Sequence, residues 1–362
     1  MESRETTTTT ERSETDTILR IKNLHTYFFT VVGVAKALNG VNLDVPAGKV
    51  LGIVGESGCG KSVTALSAMR LVVEPGRIVE GTITLNQIRK QGNGYKVMDE
   101  VDITSLDPRG PKIRSLRGSE IAMIFQEPMT SLNPSYTVGN QIMEAVQLHQ
   151  KVSKVEARDR AIDILRRVEL PNAEAVVDRY PHQLSGGMRQ RAMIAMALSC
   201  TPSLLIADEP TTALDVTTEA EILDLMRELQ ADMGMTIMFI THNLGVVAQM
   251  CDEVAVMYLG RVVEQAPVDD IFYSPMHPYT RALLQSIPRV RVREKKRLEP
   301  IRGVVPDPYS NISGCPFHDR CSDFMPGVCE VNVPAMVTVP GDPQHAVRCF
   351  LHSDAIEGEN GR

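Results

Sequence analysis

The stretch Gly-Glu-Ser-Gly-Cys-Gly-Lys-Ser, residues 55–62, decides the fold of this chain. It matches the pattern Gly-x4-Gly-Lys-Ser/Thr, which cradles phosphate groups when it joins a β-strand to an α-helix. The apolar run 50–54 precedes it, and residues 63–70 (VTALSAMR) have the composition of a helix. Strand, loop and helix follow in the required order, which disfavours the alternative of a glycine-rich turn with an exposed lysine.

The residue types of this loop suit a nucleotide. Gly55, Gly58 and Gly60 let backbone N–H groups approach a polyphosphate, and the following helix presents its positive end to the anion. We expect Lys61 to reach the β- and γ-phosphates and the Ser62 hydroxyl to bind Mg²⁺. The remaining predicted contacts to ATP in this stretch are Ser57, Cys59 and Val63. Oxidation of Cys59 would then block nucleotide binding.

Composition bounds the class of protein. The chain has 362 residues, of which 43% are apolar, enough for a packed core. A net charge of -7 and an aromatic content of 4% argue against a nucleic-acid surface. No apolar run approaches the roughly 18 residues of a membrane-spanning helix, so we expect a soluble, cytoplasmic protein whose residues 1–17 form a disordered tail.

Before and after the loop, alternating apolar residues predict strands. Residues 18–28 and 41–45 read as an antiparallel β lead-in, and residues 78–85 as a further strand. Within the lead-in, Phe28 or its neighbour Tyr27 could stack on adenine, although a strand aromatic usually packs in the core. The polar segment Gln87–Glu100 predicts a surface loop.

Two further segments follow. An apolar strand from residue 121 ends at Gln126, which can contact the metal or the attacking water, or can be a polar residue at the start of a loop. From residue 138 to 170 the apolar spacing is helical, and it predicts a helical subdomain at about 127–183.

A second glycine-rich element occupies residues 184–188. Ser185 is the predicted N-cap of a helix, and Gly186 and Gly187 leave its first N–H groups free to meet a phosphate. The strand that follows ends in two carboxylates. We expect Asp208 to hold Mg²⁺ and Glu209 to polarise the attacking water, although adjacent acids can also cap a helix.

The last element of the predicted site lies near residue 240. Residues 212–215 end in Asp215, and a strand over residues 235–240 runs into His242. A lone histidine is more often structural than catalytic. At the end of a strand beside two carboxylates, its imidazole can bond the γ-phosphate and hold the attacking water.

Taken together, these elements resemble the nucleotide-binding domain of ABC ATPases over residues 18–266. The resemblance rests on six motifs in order: the phosphate loop 55–62, Gln126, the signature 184–188, the strand 204–209 with its catalytic glutamate, residues 213–215 and His242. It implies an α/β fold: a RecA-like P-loop ABC ATPase core with an antiparallel β lead-in, a helical subdomain and a Cys-rich C-terminal extension over 267–362. It also implies that Ser185, Gly186 and Gly187 serve the ATP of a partner chain, and that Asp215 is a further nucleotide-binding residue.

Finer features resemble the ATP-binding subunits of dipeptide, oligopeptide and nickel importers. These are GESGCGKS (55–62), FQEPMTSLNP (125–134), SPMHPYTRALL (274–284) and the cysteine-bearing tail. The resemblance implies a paralogous ATPase partner in a heterodimer, two permeases, an extracytoplasmic solute-binding protein and a place at the cytoplasmic face of the membrane. Import of nickel or oligosaccharides, and a soluble ABC ATPase without a transport role, are the alternatives.

Four of the seven cysteines lie close together in the sequence of the tail, at Cys315, Cys321, Cys329 and Cys349. Four thiolates can hold a structural zinc or an iron–sulfur cluster. The tight Cys-x2-Cys to Cys-x4-Cys spacing typical of zinc is absent, and resemblance to the importer family implies a 4Fe-4S cluster. Zinc, with His318, His345 or His352 as substitute ligands, and unliganded cysteines remain open.

Overall fold

The computed structural model describes residues 16–91, 94–126, 131–212, 214–286, 301–353 and 355–356. This part of the chain contains two β-sheets, ten α-helices and two short 3₁₀ helices, Pro181–Gln183 and His318–Arg320. The helices are α1 Lys61–Ala68, α2 Pro111–Leu116, α3 Val138–His149, α4 Lys154–Arg167, α5 Ala173–Val176, α6 Gly186–Leu198, α7 Val216–Met233, α8 Leu244–Met250, α9 Val268–Tyr273 and α10 Pro278–Gln285. None of the helices in these ranges combines the length and apolarity that a membrane span needs.

The smaller sheet is antiparallel and has the order β2-β1-β4-β5. Its strands are β1 Thr17–Thr30, β2 Gly33–Pro46, β4 Gly76–Gln91 and β5 Gly94–Asp102. The predicted β lead-in is confirmed, with longer strands than expected. β1 begins at Thr17, which is fully buried, so the last residue of the predicted disordered tail belongs to the sheet. Residues 1–15 of that tail lie outside the described residues.

The predicted surface loop Gln87–Glu100 is wrong. Residues 87–91 continue β4, and β5 pairs with them so that Gln87 faces Asp99 and Gln91 faces Gly94. The available signal was Gly92-Asn93, a pair typical of two-residue connections between antiparallel strands. It was missed because the flanking residues are mostly polar, as suits an exposed hairpin whose side chains contribute little to the core.

The larger sheet has eight strands in the order β11-β12-β10-β9-β3-β8-β7-β6. These are β3 Val50–Val54, β6 Ile121–Ile124, β7 Leu204–Asp208, β8 Thr236–Ile240, β9 Glu253–Tyr258, β10 Arg261–Pro267, β11 Val337–Val339 and β12 Asp342–Val347. Pairing is parallel from β9 through β3, β8 and β7 to β6. Strands β3, β7, β8 and β9 are buried along their whole length, which explains their unbroken apolar runs.

This sheet separates two hydrophobic cores. Successive residues of β3 point to opposite faces, so Val50 and Val54 join one core while Leu51 and Ile53 join the other. The first core lies under helices α3 to α10, and the second lies between the large and small sheets and includes residues of α1 and α2. The large sheet is therefore packed on both faces.

The predicted helical periodicity over 138–170 corresponds to α3 and α4. Thr137 and Ser153 cap them by accepting hydrogen bonds from the backbone N–H groups of Asn140 and Glu156, each at 3.2 Å. The apolar faces of α3 and α4 belong to the first core. Residues 127–130, at the start of the predicted subdomain, lie outside the described part of the chain.

Residues 337–347 extend the large sheet. Strand β12 pairs with β10, with Val347 opposite Glu264, and β11 pairs with β12. The predicted boundary at 266/267 therefore separates segments that share one sheet. The sequence interval of about 70 residues between β10 and β11 hid this pairing, because strand pairing over such a distance leaves no local pattern.

Candidate functional site

The candidate site lies at one edge of the large sheet. Strands β3, β8, β7 and β6 are parallel neighbours, so their carboxyl ends meet at this edge. In open α/β sheets this edge is where ligands bind. The predicted site residues lie at the ends of these strands or shortly after them: the phosphate loop after β3, Gln126 after β6, Asp208 and Glu209 at β7, and His242 after β8.

The phosphate loop joins β3 to α1 in a conformation that only glycine accommodates. Gly60 has φ 104°, and a Cβ there would lie 2.7 Å from the carbonyl oxygen of Ala37. The buried Lys61 donates from Nζ to the carbonyl oxygens of Gly55 (2.8 Å) and Glu56 (3.2 Å). The loop therefore turns tightly around the ammonium group, while Ser57 and Gly58 stay exposed at its tip.

Asp208 joins the phosphate loop to the end of β7. The Ser62 hydroxyl donates to Asp208 Oδ1 at 3.1 Å. Burial raises the pKa of the Asp208 carboxyl, and the neighbouring charge of Glu209 adds to this, whereas the Ser62 hydrogen bond opposes it. A hydroxyl and a carboxylate oxygen next to a phosphate-binding loop are ligands that Mg²⁺ prefers.

Glu209 contacts one side chain from the end of each neighbouring strand, β6 and β8, and one from the turn after its own strand. Gln126 Nε2 donates to Glu209 Oε2 at 3.0 Å, Thr212 Oγ1 donates to the same oxygen at 3.0 Å, and His242 Nδ1 lies 2.9 Å from Oε1. Burial acts to raise the pKa of Glu209, but the hydrogen bonds from His242, Thr212 and Gln126 hold it below the ordinary value. Glu209 is thus held as a carboxylate, the form that can accept a proton.

The backbone at Glu209 is strained. Its φ is 48°, in the left-handed region that a residue with a long side chain rarely adopts, and its N–H donates to the carbonyl oxygen of Ile240 at 2.9 Å. Such strain persists only where the surroundings fix it, and it is concentrated at functional sites. Strand β8 thereby fixes the direction of the Glu209 side chain.

The second glycine-rich element forms the start of α6. Ser185 caps this helix by accepting from the backbone N–H of Met188 at 3.3 Å, as predicted. Ser185 and Gly186 are exposed, and Gly187 is half-buried against Thr218 of α7. Asp215, at the start of the next helix, caps α7 by accepting a hydrogen bond from the backbone N–H of Thr218 at 3.0 Å. Ala213 lies outside the described residues.

Two family models match the chain. The ABC transporter model matches residues 38–212, and the model of the oligopeptide/dipeptide transporter C-terminal region matches residues 263–329. A probable peptide ABC transporter ATP-binding protein of Sinorhizobium fredii is 49% identical, with 94% of this chain and 97% of the relative covered. The oligopeptide transport ATP-binding protein AppD of Bacillus subtilis is 46% identical, with 93% and 98% covered. The chain belongs to the ABC transporter family of ATP-binding proteins.

Solved structures agree with this assignment. A dimeric ATP-binding cassette in a post-hydrolysis state with ADP and phosphate superimposes with a TM-score of 0.59 at 26% identity, covering 69% of this chain and 99% of the other. A cassette of an ABC transporter complex from Clostridium perfringens gives a TM-score of 0.57 at 29% identity, covering 72% and 92%. This ABC protein therefore has the cassette fold, with a mixed α/β core that combines parallel and antiparallel sheets, and is an ATPase coupled to transport.

Phe28 lies near the end of β1. Earlier on this strand, the Thr26 hydroxyl lies 3.0 Å from that of Ser67 in α1. The Phe28 ring is half-buried and covers Gly76 of β4, where a Cβ would lie 2.6 Å from the ring. Tyr27 points the other way, with its hydroxyl 3.0 Å from His25 Nδ1. Phe28 therefore packs against β4, whereas Tyr27 contacts a residue of its own strand.

All four cysteines of the tail line a single pocket. Cys315, Cys321, Cys329 and Cys349 share its wall with His277, Pro278, Phe317, His318, Asp323, Met325 and Phe350. Burial, reinforced by the neighbouring thiols, raises the pKa of Cys315 to about 11 and that of Cys349 to about 12. Across the described ranges, no group of three or more His, Cys, Asp or Glu side chains is arranged to hold a metal ion.

Sequence reasoning missed two contributors to the site. No role for Thr212 is predicted from the sequence, yet it donates to Glu209; its place three residues after that carboxylate is the available signal. Gln190 is fully buried in α6, and its Nε2 donates to the carbonyl oxygen of Pro210 directly after Glu209. Gln190 therefore links α6 to the end of β7, a contact that no local sequence pattern reveals.

Proposed function

We propose that this chain hydrolyses ATP to power the uptake of di- and oligopeptides through separate permease subunits. The observation that carries the proposal is the Glu209 carboxylate, held by Gln126, Thr212 and His242 beside the Asp208–Ser62 pair at the end of β7. The cargo follows from the relatives, which are named as peptide, oligopeptide and dipeptide transport ATP-binding proteins. None of these names favours nickel, an oligosaccharide or a role outside transport.

Each side chain at the strand ends has a part in the reaction. The N–H groups of residues 55–62 and the start of α1 bind the phosphates, and Lys61 contacts the β- and γ-phosphates. Ser62, Gln126 and Asp208 would hold Mg²⁺, which supplies charge neutralisation on the phosphate oxygens when bound. Glu209 accepts a proton from the attacking water, and His242 holds the water and the γ-phosphate in line. Phe28 stacks on adenine.

A second ATPase chain completes the site. Ser185 and Gly186 are exposed and Gly187 is half-buried at the start of α6, where helix N–H groups suit the γ-phosphate of ATP on a partner. Asp215 lies at the start of α7, beside Thr218, which Gly187 contacts, and serves the same interface. We propose that the partner is a paralogous chain. The pair sits at the cytoplasmic face of the membrane under two permeases, which receive cargo from an extracytoplasmic binding protein.

We also propose that Cys315, Cys321, Cys329 and Cys349 hold a 4Fe-4S cluster. Support comes from the single pocket that the four side chains line. Because the described side chains are not arranged there to hold a metal ion, cluster binding would require them to turn toward one another. A bound cluster would supply a staple for a segment with little apolar content of its own. Anaerobic purification, visible absorption and iron, sulfide and zinc analysis of the native chain and of Cys321→Ser test this. Absence of iron, or iron retained unchanged in the variant, would contradict it.

Glu209→Gln tests the proposed catalytic base. Because glutamine keeps the shape and accepts hydrogen bonds but takes up no proton, ATP binding should persist while hydrolysis in the assembled transporter falls about 100-fold or more. Glu228→Gln, an exposed position on α7, is the matched control and should leave turnover unchanged. Near-normal turnover of Glu209→Gln would show that another group is the base.

A further inference from the structure

The C-terminal extension of this chain contacts the smaller sheet and the phosphate loop at two separate points. Near the tip of the β1–β2 hairpin, Lys36 donates from its backbone N–H to the carbonyl oxygen of Pro308 (3.4 Å) and from Nζ to Asn311 Oδ1 (3.2 Å). The second point is at the phosphate loop, where Arg320 reaches Glu56, 264 residues away in sequence. The segment that bears the four cysteines thus contacts the loop predicted to bind ATP.

The contact at Glu56 is a two-pronged ion pair. Arg320 Nη1 lies 2.7 Å from Glu56 Oε2, and Nη2 lies 3.0 Å from Oε1. The Arg320 side chain is only 4% exposed, and its Nε donates to the carbonyl oxygen of Arg302 at 2.9 Å. Nη1 also lies 3.3 Å from the hydroxyl of Tyr258. A guanidinium with so many partners has one orientation, and it fixes the carboxylate that it holds.

Glu56 is held through its backbone as well. Its N–H donates to the hydroxyl of Tyr279 at 2.9 Å, and its carbonyl oxygen accepts from Lys61 Nζ at 3.2 Å. Tyr279 is fully buried, and its ring packs against Phe317 with the ring centres 5.3 Å apart. Phe317 in turn lines the four-cysteine pocket. The contacts from Tyr279 and Arg320 to Glu56 therefore both come from outside the sequence motifs of the cassette.

A carboxylate in a phosphate-binding loop weakens the affinity of the loop for a polyphosphate unless its charge is compensated. The second residue of this loop carries the same sign of charge as the polyphosphate that the loop receives, and like charges at this range repel. The Arg320 guanidinium cancels that charge and directs the Glu56 side chain toward the tail. Without it, the carboxylate would be free to face the ligand.

We propose that Arg320 and Tyr279 are positioning residues for the phosphate loop, acting on ATP affinity through Glu56. This inference rests on the proposal that residues 55–62 bind the ATP phosphates. It assigns the tail a part in nucleotide binding in addition to any group that its cysteines hold. Arg320 contributes by neutralising Glu56, and Tyr279 contributes by fixing the backbone of Glu56.

The test is the dissociation constant of MgATP for the full-length chain, measured by titration calorimetry. Arg320→Ala should weaken binding about tenfold or more, since it leaves the Glu56 charge uncompensated. Combining it with Glu56→Gln should restore affinity to within about threefold of wild type, because the repulsive charge is then absent. Tyr279→Phe should weaken binding by about threefold, through loss of one hydrogen bond.

Arg281→Ala is the matched control. Arg281 of α10 pairs with Asp323, which lines the four-cysteine pocket, so this variant removes an ion pair between α10 and the cysteine-bearing segment without reaching Glu56. Its MgATP affinity should equal that of wild type. If Arg320→Ala fails to fold, Arg320→Gln, which keeps the stem and a donor, carries the same expectation.

The results separate the inference from the function on which it rests. Unchanged affinity in Arg320→Ala, or a loss that Glu56→Gln does not reverse, would overturn the inference and leave Arg320 a purely structural residue. Lys61→Ala tests the loop itself. If Lys61→Ala binds MgATP normally, the assignment of residues 55–62 fails; if it loses binding while Arg320→Ala does not, only the role of Arg320 fails.

Discussion

Two carboxylates of this chain, Glu209 and Glu264, each contact a histidine. Glu209 lies where solvent can reach its partners, whereas Glu264 is buried. Glu209 lies at the edge of the large sheet, with a partner, His242, whose side chain is 66% exposed. Glu264 lies inside β10 and is fully buried; His345 Nε2 lies 2.7 Å from its Oε1, and the backbone N–H groups of Met276 and His277 donate to it at 2.6 and 3.0 Å. We call this second arrangement the Glu264 seam.

The difference shows that this fold keeps the side chains of the candidate site apart from those that hold its segments together. At the sheet edge, partners are side chains that water and a ligand can reach, so they can rearrange during a reaction. In the Glu264 seam, two of the donors are backbone N–H groups, and His345, 1% exposed, belongs to β12. The seam therefore attaches the tail to the large sheet and has no access to substrate. Substitutions at the two places should have separate effects.

The largest effect is expected from Asp208→Asn at the sheet edge. Asparagine can still accept the Ser62 hydrogen bond but lacks the charge that attracts Mg²⁺, so hydrolysis should fall about 100-fold and need more Mg²⁺. The melting temperature should change little or rise, because a buried carboxylate is lost. Steady-state hydrolysis across a Mg²⁺ series checks this. An unchanged Mg²⁺ requirement would remove Asp208 from the metal site.

Glu264→Gln should act in the opposite way, on stability. Burial acts to raise the pKa of Glu264, but hydrogen bonds from His345, Thr280 and the backbone of Met276 and His277 hold it below its ordinary value of 4.5. A lowered folded pKa adds stability above the unfolded pKa, and this is lost as pH falls through the folded one. The variant should lose about 2 kcal/mol at neutral pH, a typical value for hydrogen bonds to a charged group.

Thermal unfolding of wild type and Glu264→Gln between pH 7 and pH 3 is the measurement. The stability difference should shrink as the pH falls below 4.5, since the wild-type carboxylate then takes up a proton. Hydrolysis at neutral pH and low temperature should stay near that of wild type. A constant difference across the series would show that the Glu264 charge contributes nothing to the seam.

The smallest effect is expected at Phe28, which belongs to neither arrangement. If its ring stacks on adenine, Phe28→Ala should weaken MgATP binding about fivefold, in the range of a single aromatic contact. Phe28→Tyr should keep the affinity. Phe28→Leu decides between stacking and packing: leucine fills the space over Gly76 but offers no aromatic face. Wild-type affinity in the leucine variant would mean that Phe28 only packs.

The residues at the sheet edge are predictable from the sequence because each of them belongs to a short motif. Lys61 follows a glycine-rich loop, Asp208 and Glu209 end an apolar strand, and His242 follows the next one. Parallel strands bring their carboxyl ends to one edge, so their order in the chain is enough to predict a common site. The polar hairpin of β4 and β5 was missed, since exposed strands lack the apolar alternation on which strand prediction depends.

The amino-acid sequence by itself determined the cassette fold, the residue types at its strand ends and the presence of four cysteines in the tail. Only the tertiary structure decided that Gln126, Thr212 and His242 all bind Glu209, that β12 continues the large sheet beyond β10, and that Arg320 holds Glu56. The physical reason is the sequence distance between the residues that interact. Backbone conformation follows from neighbours within a few residues, whereas side-chain pairing depends on which surfaces the folded chain brings together.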